Sequence, residues 1–530
     1  MWAFSASGCR WLGAGGSLAI AVGGYAAGTL PVLGGGPLWE PRGSALTVAG
    51  ALLAYLGLTL LVAAWWRYGV LLARGTRDGA LATLACWTVP LLLAPPVHSA
   101  DVYSYIAQGG MVLEGHDVYG AGPSVLAPGD LGADAAASVG GNWTDTPAPY
   151  GPVFLLLAEA VVKLTGGAIV PAVLGMRLVA LGALALIVWA VRGLWAVRGP
   201  AGGVRGPAGG ADGSGGGADG PGGRDGGSAG RDGGSGGRDS GSGGRDGGSG
   251  GRDGGSGVSG GAGGALWLAA LNPLLLVHVV GGMHNDGLMI GLMLSGVLLA
   301  VRGRWVAGCV LIGLAMMVKS PAAVALLFVG VMIARRDGGV RGVLKGLLLP
   351  GLVAGAVAAG ATLAAGTGFG WLGTQSVAGA IHTPLSLTSD LGLALGTLLA
   401  DDPDPVKGAV QKLGLLAALA IIAALAWRAW RGRIDPVLGL GLSLVALVAL
   451  SPMVQPWYLL WGTVVVAAVA WYSRAGQLLA VLSAALVYET APSGHTPWYG
   501  FVPAVGVLVL GLVWMRRDPW PPASPSGPGL

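Results

Sequence analysis

Residues 44–66 read SALTVAGALLAYLGLTLLVAAWW, an uninterrupted apolar stretch that contains no charged side chain. A helix needs about 20 such residues to cross the hydrocarbon core of a bilayer. Similar stretches recur along the 530-residue chain, which is 53% hydrophobic and only 10% charged. They are continuous rather than alternating, which excludes a transmembrane β-barrel. The sequence therefore predicts an all-α polytopic membrane protein.

The apolar stretches predict a bundle of about 13–14 transmembrane helices. The predicted spans are residues 11–33, 44–66, 79–97, 168–191, 264–281, 286–301, 305–318, 321–334, 346–366, 407–427, 436–451, 456–472, 476–491 and 498–514. With both termini in the cytoplasm, most arginine residues fall in the inner loops, as the positive-inside rule requires. This orientation predicts a multi-pass protein of the plasma membrane.

One apolar segment must not cross the membrane if this orientation is correct. Residues 150–165 are short and contain Glu159 and Lys163. We predict that they form a helix along the outer membrane surface, with the acid and the base paired four residues apart. The segment then belongs to one long outer loop, residues 98–167.

Residues 199–262 consist almost entirely of Gly, Ser, Arg and Asp, with Arg-Asp recurring every seven residues. No apolar residue recurs with that period, so a coiled coil is excluded and a disordered cytoplasmic linker is predicted. The predicted organisation is N-terminal helices 1–97, outer catalytic loop 98–167, one helix 168–198, linker 199–262, C-terminal bundle 263–515 with outer loop 367–405, and cytoplasmic tail 516–530.

Charge and cysteine content exclude other classes. The net charge of +5 is explained by the distribution of basic residues across the membrane, so no nucleic-acid partner is expected. The three cysteines lie far apart and have neither metal-ligand nor disulfide spacing. We expect neither a metal nor another cofactor.

Polar residues from distant parts of the chain collect on the predicted outer side, where we expect them to line one cavity. Ionisable groups at membrane depth are costly and therefore indicate function. The candidates are His98, Asp101, Tyr103, Tyr105, Trp143, Tyr150, His284, Asn285, Asp286, Lys319, Gln455, Trp457 and Tyr458.

Each candidate also has a structural interpretation. Asp101 would cap the helix predicted to begin at Val102, and His284 and Asp286 would cap the next span. Lys319 would extend along apolar surface to reach water. The aromatic residues would form a belt at the membrane interface.

Five stretches carry a resemblance to a known family. They are DVYSYIAQGGMVLEGHDVYGAGP (101–123), NWTDTPAPYGPVF (142–154), GGMHNDGLMIGLML (281–294), AMMVKSPAA (315–323) and SPMVQPWYLLW (451–461). The chain resembles the GT-C glycosyltransferases, and more closely the MptA/MptB group, with TPAPYGP and HNDG nearer to MptB. These are polyprenol-phosphate-mannose-dependent α-(1→6)-mannosyltransferases that build the mannan core of lipomannan. The resemblance implies a GT-C-type bundle with a large first outer catalytic loop.

The resemblance implies that Asp101 is the general base, while His284 and Asp286 orient the acceptor or share that role. A sugar hydroxyl is a poor nucleophile, and a carboxylate must take its proton as it attacks. The leaving phosphate needs a cation, for which Lys319 is the first candidate and Arg177 the second. Trp143, Trp457 and Tyr458 offer flat faces to a sugar ring. The remaining predicted substrate-binding residues are His98, Tyr103, Tyr105, Tyr150, Asn285 and Gln455.

The expected partners are a polyprenol-phosphate-mannose donor, a mannoside or lipoglycan acceptor, and the lipid bilayer. A β-linked donor and an α-linked product imply inversion in a single displacement. The alternative function is a transporter or flippase of lipid-linked sugars. Such a protein is expected to contain an internal repeat, which these apolar segments do not form.

Overall fold

The structure, a computed structural model, describes residues 5–76, 79–199, 256–377 and 381–517. Within these ranges the chain is helical and contains no β-strand. Most of the predicted linker 199–262 and most of the predicted tail 516–530 lie outside the described residues.

Two groups of helices flank the linker region. The helices that precede it are α1 (Ala6–Ala27), α2 (Ser44–Ala73), α3 (Ala80–Thr88), α4 (Asp101–Leu113), α5 (Pro152–Thr165) and α6 (Ile169–Arg198). Those that follow it are α7 (Ser256–Ala269), α8 (Pro273–Gly281), α9 (Asp286–Val301), α10 (Trp305–Met316), α11 (Val324–Asp337), α12 (Gly339–Ala365), α13 (Leu387–Leu399), α14 (Asp404–Trp430), α15 (Pro436–Ala449), α16 (Leu460–Ala470), α17 (Arg474–Leu486) and α18 (Phe501–Arg517).

A helix lies at each of the predicted spans, and the protein is an all-α polytopic membrane protein. By length and composition, five of the described helices can each cross a bilayer: Ser44–Ala73, Ile169–Arg198, Gly339–Ala365, Asp404–Trp430 and Trp498–Arg517. A sixth span is formed if α7 and α8 act as one, although they meet at a bend of 43°. Several other predicted spans are apolar helices of 10–17 residues.

The bend between α7 and α8 has a local cause. Pro273 has no N–H to donate to the preceding turn. Asn272 caps the new helix by accepting from the N–H of Leu274 at 3.0 Å, and its amide donates to Ser483 Oγ at 3.0 Å. The bend directs α8 towards the turn that contains His284.

Segment 150–165 is helical as predicted, but its predicted salt bridge is absent. α5 packs against α4 and α6, while Glu159 and Lys163 form no ion pair with each other. An exposed pair on one helix gains little Coulomb energy and loses side-chain entropy. The burial of one face, rather than charge pairing, holds this helix in place.

α1 and α2 pack against each other along glycines. A Cβ atom at Gly16 would lie 2.6 Å from the carbonyl oxygen of Gly57, and one at Gly57 would lie 2.5 Å from that of Gly16. Small residues allow the backbones of two membrane helices to approach closely. This contact holds α1 and α2 together as a pair.

Candidate active site

Asp101 lies at the first position of α4, where its carboxylate is free of any capping role. The backbone N–H of Asp101 donates to Ser99 Oγ at 3.0 Å, and the residue before α4, Ala100, makes no side-chain cap. The interpretation of Asp101 as a helix cap is therefore wrong. Ser99 satisfies the free N–H group instead, and the Asp101 side chain turns towards the rest of the site.

The Asp101 carboxylate contacts His284 and Tyr105 in addition to Ser99. His284 Nδ1 lies 3.1 Å from its Oδ2 atom, and the Tyr105 hydroxyl donates to the same oxygen at 3.3 Å. The Tyr105 oxygen also accepts from the backbone N–H of Asn285 at 3.4 Å. Tyr105 therefore joins α4 to the turn that contains His284, and both fix the orientation of the carboxylate.

The environment of Asp101 favours the ionised form. Burial acts to raise the pKa of Asp101, but the neighbouring His284 and Lys319 and the hydrogen bond from Ser99 outweigh it. The pKa of Asp101 is therefore lowered from its ordinary value. A carboxylate that is ionised and still 29% exposed can accept a proton from a bound molecule.

Two residues at the site have left-handed backbone conformations without being glycine. His98 has φ 63° and Met283 has φ 55°. His98 is held by its N–H, which donates to Pro492 O at 2.9 Å, and by its Nδ1 atom, 2.8 Å from Thr490 O. Conformations of this kind cost energy and concentrate at functional sites.

His98 is a neutral residue in this setting. Burial lowers its pKa to about 4, although the hydrogen bond to the Thr490 carbonyl acts in the opposite direction. Because a carbonyl oxygen only accepts, Nδ1 carries the proton of the neutral ring. His98 therefore fixes the segment before α4 to the chain around Thr490.

Asp286 and Lys319 form a buried ion pair. Lys319 Nζ lies 3.0 Å from Oδ1 and 2.9 Å from Oδ2 of Asp286, whose side chain has no exposed surface. The indole N–H of Trp461 donates to Oδ1 at 2.6 Å. Lys319 does not extend to the surface, and Asp286 does not cap α9, so both structural interpretations are wrong.

Aromatic rings surround this pair and the histidine. Trp457 stacks on His284, with ring centroids 3.7 Å apart, and Tyr458 stacks on Trp461 at 4.4 Å. Lys319 Nζ lies 4.5 Å from the centre of the Tyr458 ring. Trp457 and Tyr458 are each only 7% exposed, so they do not form a belt facing lipid.

A cavity of about 540 Å³ opens beside Asp101. Of the predicted site residues, His98, Asp101, Trp143, Gln455 and Trp457 line it. Its other walls include the hydroxyls of Thr29, Ser138, Ser493 and Thr496, together with His495. Hydroxyl groups and flat aromatic faces beside one carboxylate suit a ligand that is rich in hydroxyls.

Two predicted residues serve the structure instead of lining this cavity. Tyr103 is fully buried, and its hydroxyl donates to Thr29 O at 2.6 Å, so it does not line the cavity, and its contact with substrate stays a prediction. Arg177 is 2% exposed and donates to the carbonyl oxygens of Leu92 at 2.8 Å and Ala94 at 2.6 Å. Arg177 therefore holds the segment between α3 and α4, and its contact with a donor phosphate stays a prediction.

Tyr150 and Asn285 lie beneath the site. The Tyr150 ring packs at 5.3 Å against both Tyr105 and Phe154 and lies 6.0 Å from Lys319 Nζ. Asn285 is 3% exposed and contributes the backbone N–H that reaches Tyr105. Tyr150 and Asn285 therefore stabilise the positions of Tyr105, which contacts Asp101, and Lys319, which contacts Asp286.

Three features of the site were not predicted from the sequence. Trp461 lies one turn after Tyr458 in PWYLLW, a spacing that places both on one helix face. His278 lies inside an apolar span, which by itself indicates function; its ring is 5.0 Å from Trp457 and 5.6 Å from His284. The turn at 490–496 contains only ordinary polar residues, and nothing local marks it.

Metal ligands are not gathered in the described part of the chain, where no group of three His, Cys, Asp or Glu side chains could hold an ion.

An all-helical membrane bundle with a carboxylate beside a cavity of hydroxyls and aromatic faces suits an integral membrane enzyme that acts on a sugar hydroxyl. Residues 10–203 and 257–335 match the family described as alpha-(1->6)-mannopyranosyltransferase, N-terminal domain, and residues 384–517 match the MptB C-terminal domain. The chain belongs to this MptA/B family of mannosyltransferases.

Relatives in three bacteria cover nearly the whole chain. A probable alpha-(1->6)-mannopyranosyltransferase of Mycolicibacterium smegmatis is 33% identical over 97% of this chain and 89% of its own length. An alpha-(1->6)-mannopyranosyltransferase of Mycobacterium tuberculosis is 31% identical over 97% and 88%. Alpha-(1->6)-mannopyranosyltransferase B of Corynebacterium glutamicum is 29% identical over 96% and 82%. No solved structure matches the chain. These relatives favour an enzyme over a transporter.

Proposed function

We propose that the protein transfers mannose from polyprenol-phosphate-mannose to a growing α-(1→6)-mannan of a lipoglycan, with inversion, on the outer face of the plasma membrane. The observation that carries the proposal is the oriented, ionised carboxylate of Asp101 at the wall of the cavity. The names of the relatives support the sugar and the linkage.

Asp101 acts as the general base. An acceptor hydroxyl in the cavity passes its proton to the carboxylate as its oxygen forms a bond to the anomeric carbon of the donor. The bond from that carbon to the phosphate oxygen breaks, and its electron pair leaves with the phosphate. His284 and Tyr105 hold Oδ2 and direct the carboxylate towards the acceptor.

Lys319 stabilises the leaving phosphate. The ammonium group donates to both Asp286 oxygens and lies against the Tyr458 hydroxyl, and its positive charge attracts a phosphate oxygen placed beside it. Asp286 and Trp461 fix the position of the ammonium group. In this mechanism Asp286 positions Lys319 and does not share the base role.

The acceptor occupies the cavity. Trp143 and Trp457 offer apolar faces to sugar rings, while Ser493, Thr496 and Gln455 offer hydrogen bonds to their hydroxyls. Burial of a sugar requires such partners, because an unpaired hydroxyl in a dry site is costly.

The course of α2 supports the outward orientation. Thr47 lines the cavity beside Asp101, and Arg67 lies on the same helix towards its other end. Twenty residues of helix rise about 30 Å, which is about the thickness of the hydrocarbon core. Since arginines favour the cytoplasmic side, the position of Arg67 supports a cavity that faces outward.

The proposal is tested with the purified full-length protein, labelled polyprenol-phosphate-mannose and a short α-(1→6)-mannoside. We expect a mannose-extended product with an α-(1→6) linkage. Movement of the labelled lipid across liposomes without product would support the transporter instead. A product formed from a nucleotide-linked mannose, but not from the lipid-linked one, would overturn the proposed donor.

A further inference from the structure

A second cavity lies on the half of α2 that is distant from Asp101. It has a volume of about 770 Å³ and is enclosed by α2, α17 and α18. Its walls are mostly apolar, with contributions from Val62, Val70, Val481, Ala484, Val507 and Leu510. We call it the α2–α18 groove. No residue of the Asp101 cavity lines it.

The two ends of the α2–α18 groove differ in character. At one end the Tyr488 hydroxyl donates to Thr59 Oγ1 at 3.2 Å. At the other end lie Arg67 and Arg74. Trp66 and Trp514 meet edge to face at the arginine end, with centroids 5.0 Å apart, and tryptophan is enriched at the depth of lipid headgroups.

The length of the groove fits one leaflet. The helix rises about 22 Å between Thr59 and Arg74, and one leaflet including its headgroup region is about 20–22 Å thick. Leu510 on the groove wall is 71% exposed, so the groove opens to the side of the bundle. Acyl chains would fill the apolar part, and a headgroup would reach the arginines.

The charge of the groove selects among lipids. Two arginines and no carboxylate are present among its described lining residues. A basic site at the depth of the headgroups attracts anionic lipids over zwitterionic ones. We propose that the α2–α18 groove binds an anionic glycerophospholipid of the leaflet opposite to the Asp101 cavity, with its phosphate at Arg67 and Arg74.

A donor lipid fits the groove less well. Its phosphate would belong at Lys319, near the cavity, and its prenyl tail would then end among the arginines. The apolar end of the prenyl tail would then lie against charged guanidinium groups, which is unfavourable because those charges would lose water without gaining a polar partner. An acyl lipid with its headgroup at Arg67 and Arg74 has no such conflict.

The test measures bound lipid by native mass spectrometry on the full-length protein extracted from membranes that contain equal amounts of phosphatidylglycerol and phosphatidylcholine. We expect preferential retention of phosphatidylglycerol, reduced about tenfold in Arg67→Gln/Arg74→Gln, since each arginine near the surface contributes to the attraction. The matched control is Arg428→Gln/Arg433→Gln, which removes two arginines that do not line the groove. This variant should retain phosphatidylglycerol.

A second variant keeps the charges and fills the space. Ala63 lies on the groove wall, so Ala63→Trp places a large side chain in the groove. Its control is Leu52→Trp, at an exposed position of the same helix outside the groove. Ala63→Trp should lose the lipid, and Leu52→Trp should keep it. Equal retention of both lipids by the wild type, or unchanged retention in the arginine variant, would overturn the proposal. Displacement of phosphatidylglycerol by polyprenyl phosphate would overturn it in favour of the donor tail.

Discussion

The imidazole of His284 lies with Nδ1 3.1 Å from Oδ2 of Asp101, although Asp101 begins α4 and His284 lies in the turn before α9, in the two separate ranges of the N-terminal family match. His284 is buried, and its ring is stacked on Trp457, so it has little freedom to move away. The contact therefore sets both the orientation and the charge of the carboxylate.

Removal of His284 should change the pH dependence of transfer. His284 is the main group that lowers the pKa of Asp101, while burial acts to raise it. In His284→Ala the pKa of Asp101 rises, so the base is protonated at a higher pH than in the wild type. We expect the acid limb of the kcat/KM profile to move to higher pH.

The matched control for this prediction is His382→Ala. His382 Nε2 lies 2.7 Å from Asp390 Oδ1 in an exposed pair. Its removal should leave the profile unchanged. An acid limb at the same pH in His284→Ala and the wild type would contradict the assigned coupling.

Tyr105→Phe should reduce kcat about tenfold, because one hydrogen bond to a charged group is lost while the ring stays in place. Tyr103→Phe is the comparison, since that hydroxyl reaches Thr29 O and no residue of the reaction. Steady-state kinetics on both variants measure the difference. Equal losses in the two would assign Tyr105 a purely structural role.

Variants of the Asp286–Lys319 pair should affect stability and activity differently. Lys319→Ala leaves a buried carboxylate unpaired and should destabilise the protein by about 3–5 kcal/mol. Lys319→Ala/Asp286→Ala removes both charges, so the melting temperature should recover. Activity should remain low in both variants, because neither offers a cation to the phosphate.

Thermal unfolding in detergent and donor kinetics together measure this effect. Recovery of activity along with stability in the double variant would show that the pair is only structural. A single variant as stable as the wild type would contradict the burial of the pair.

The turn at 490–496 should affect the acceptor and not the donor. Ser493→Ala/Thr496→Ala removes two hydroxyls from the cavity wall. We expect the acceptor KM to rise about tenfold, since each lost hydrogen bond contributes to binding. The donor KM should stay constant. A rise confined to the donor KM would place the donor, and not the acceptor, in this cavity.

The helical fold was predictable because continuous apolar stretches have few alternatives in a membrane. Asp101, His284 and Lys319 were equally visible, since ionisable residues are rare in such a chain. Their pairing was not predictable. That Lys319 contacts Asp286, and that Ser99 replaces Asp101 at the helix start, depends on packing between elements distant in sequence.

The cavity wall formed by residues 490–496 was also not predictable from the sequence. Ser493 and Thr496 carry no chemistry that distinguishes them from other surface hydroxyls. They lie at the cavity because His98 binds Thr490 O, which brings the segment around Thr490 next to the segment before α4. Tyr103 and Arg177 show the converse, because both are conspicuous in the sequence and neither lines the cavity.

The central claim is that Asp101 is the base, and Asp101→Asn tests it most directly. The amide retains the shape of the side chain but cannot accept the proton as a carboxylate does. With protein level and melting temperature matched to the wild type, kcat for mannosyl transfer should fall about 10²–10⁴-fold. Asp390→Asn, which alters the exposed pair with His382, should retain wild-type transfer. Retention of most activity by Asp101→Asn would contradict the account.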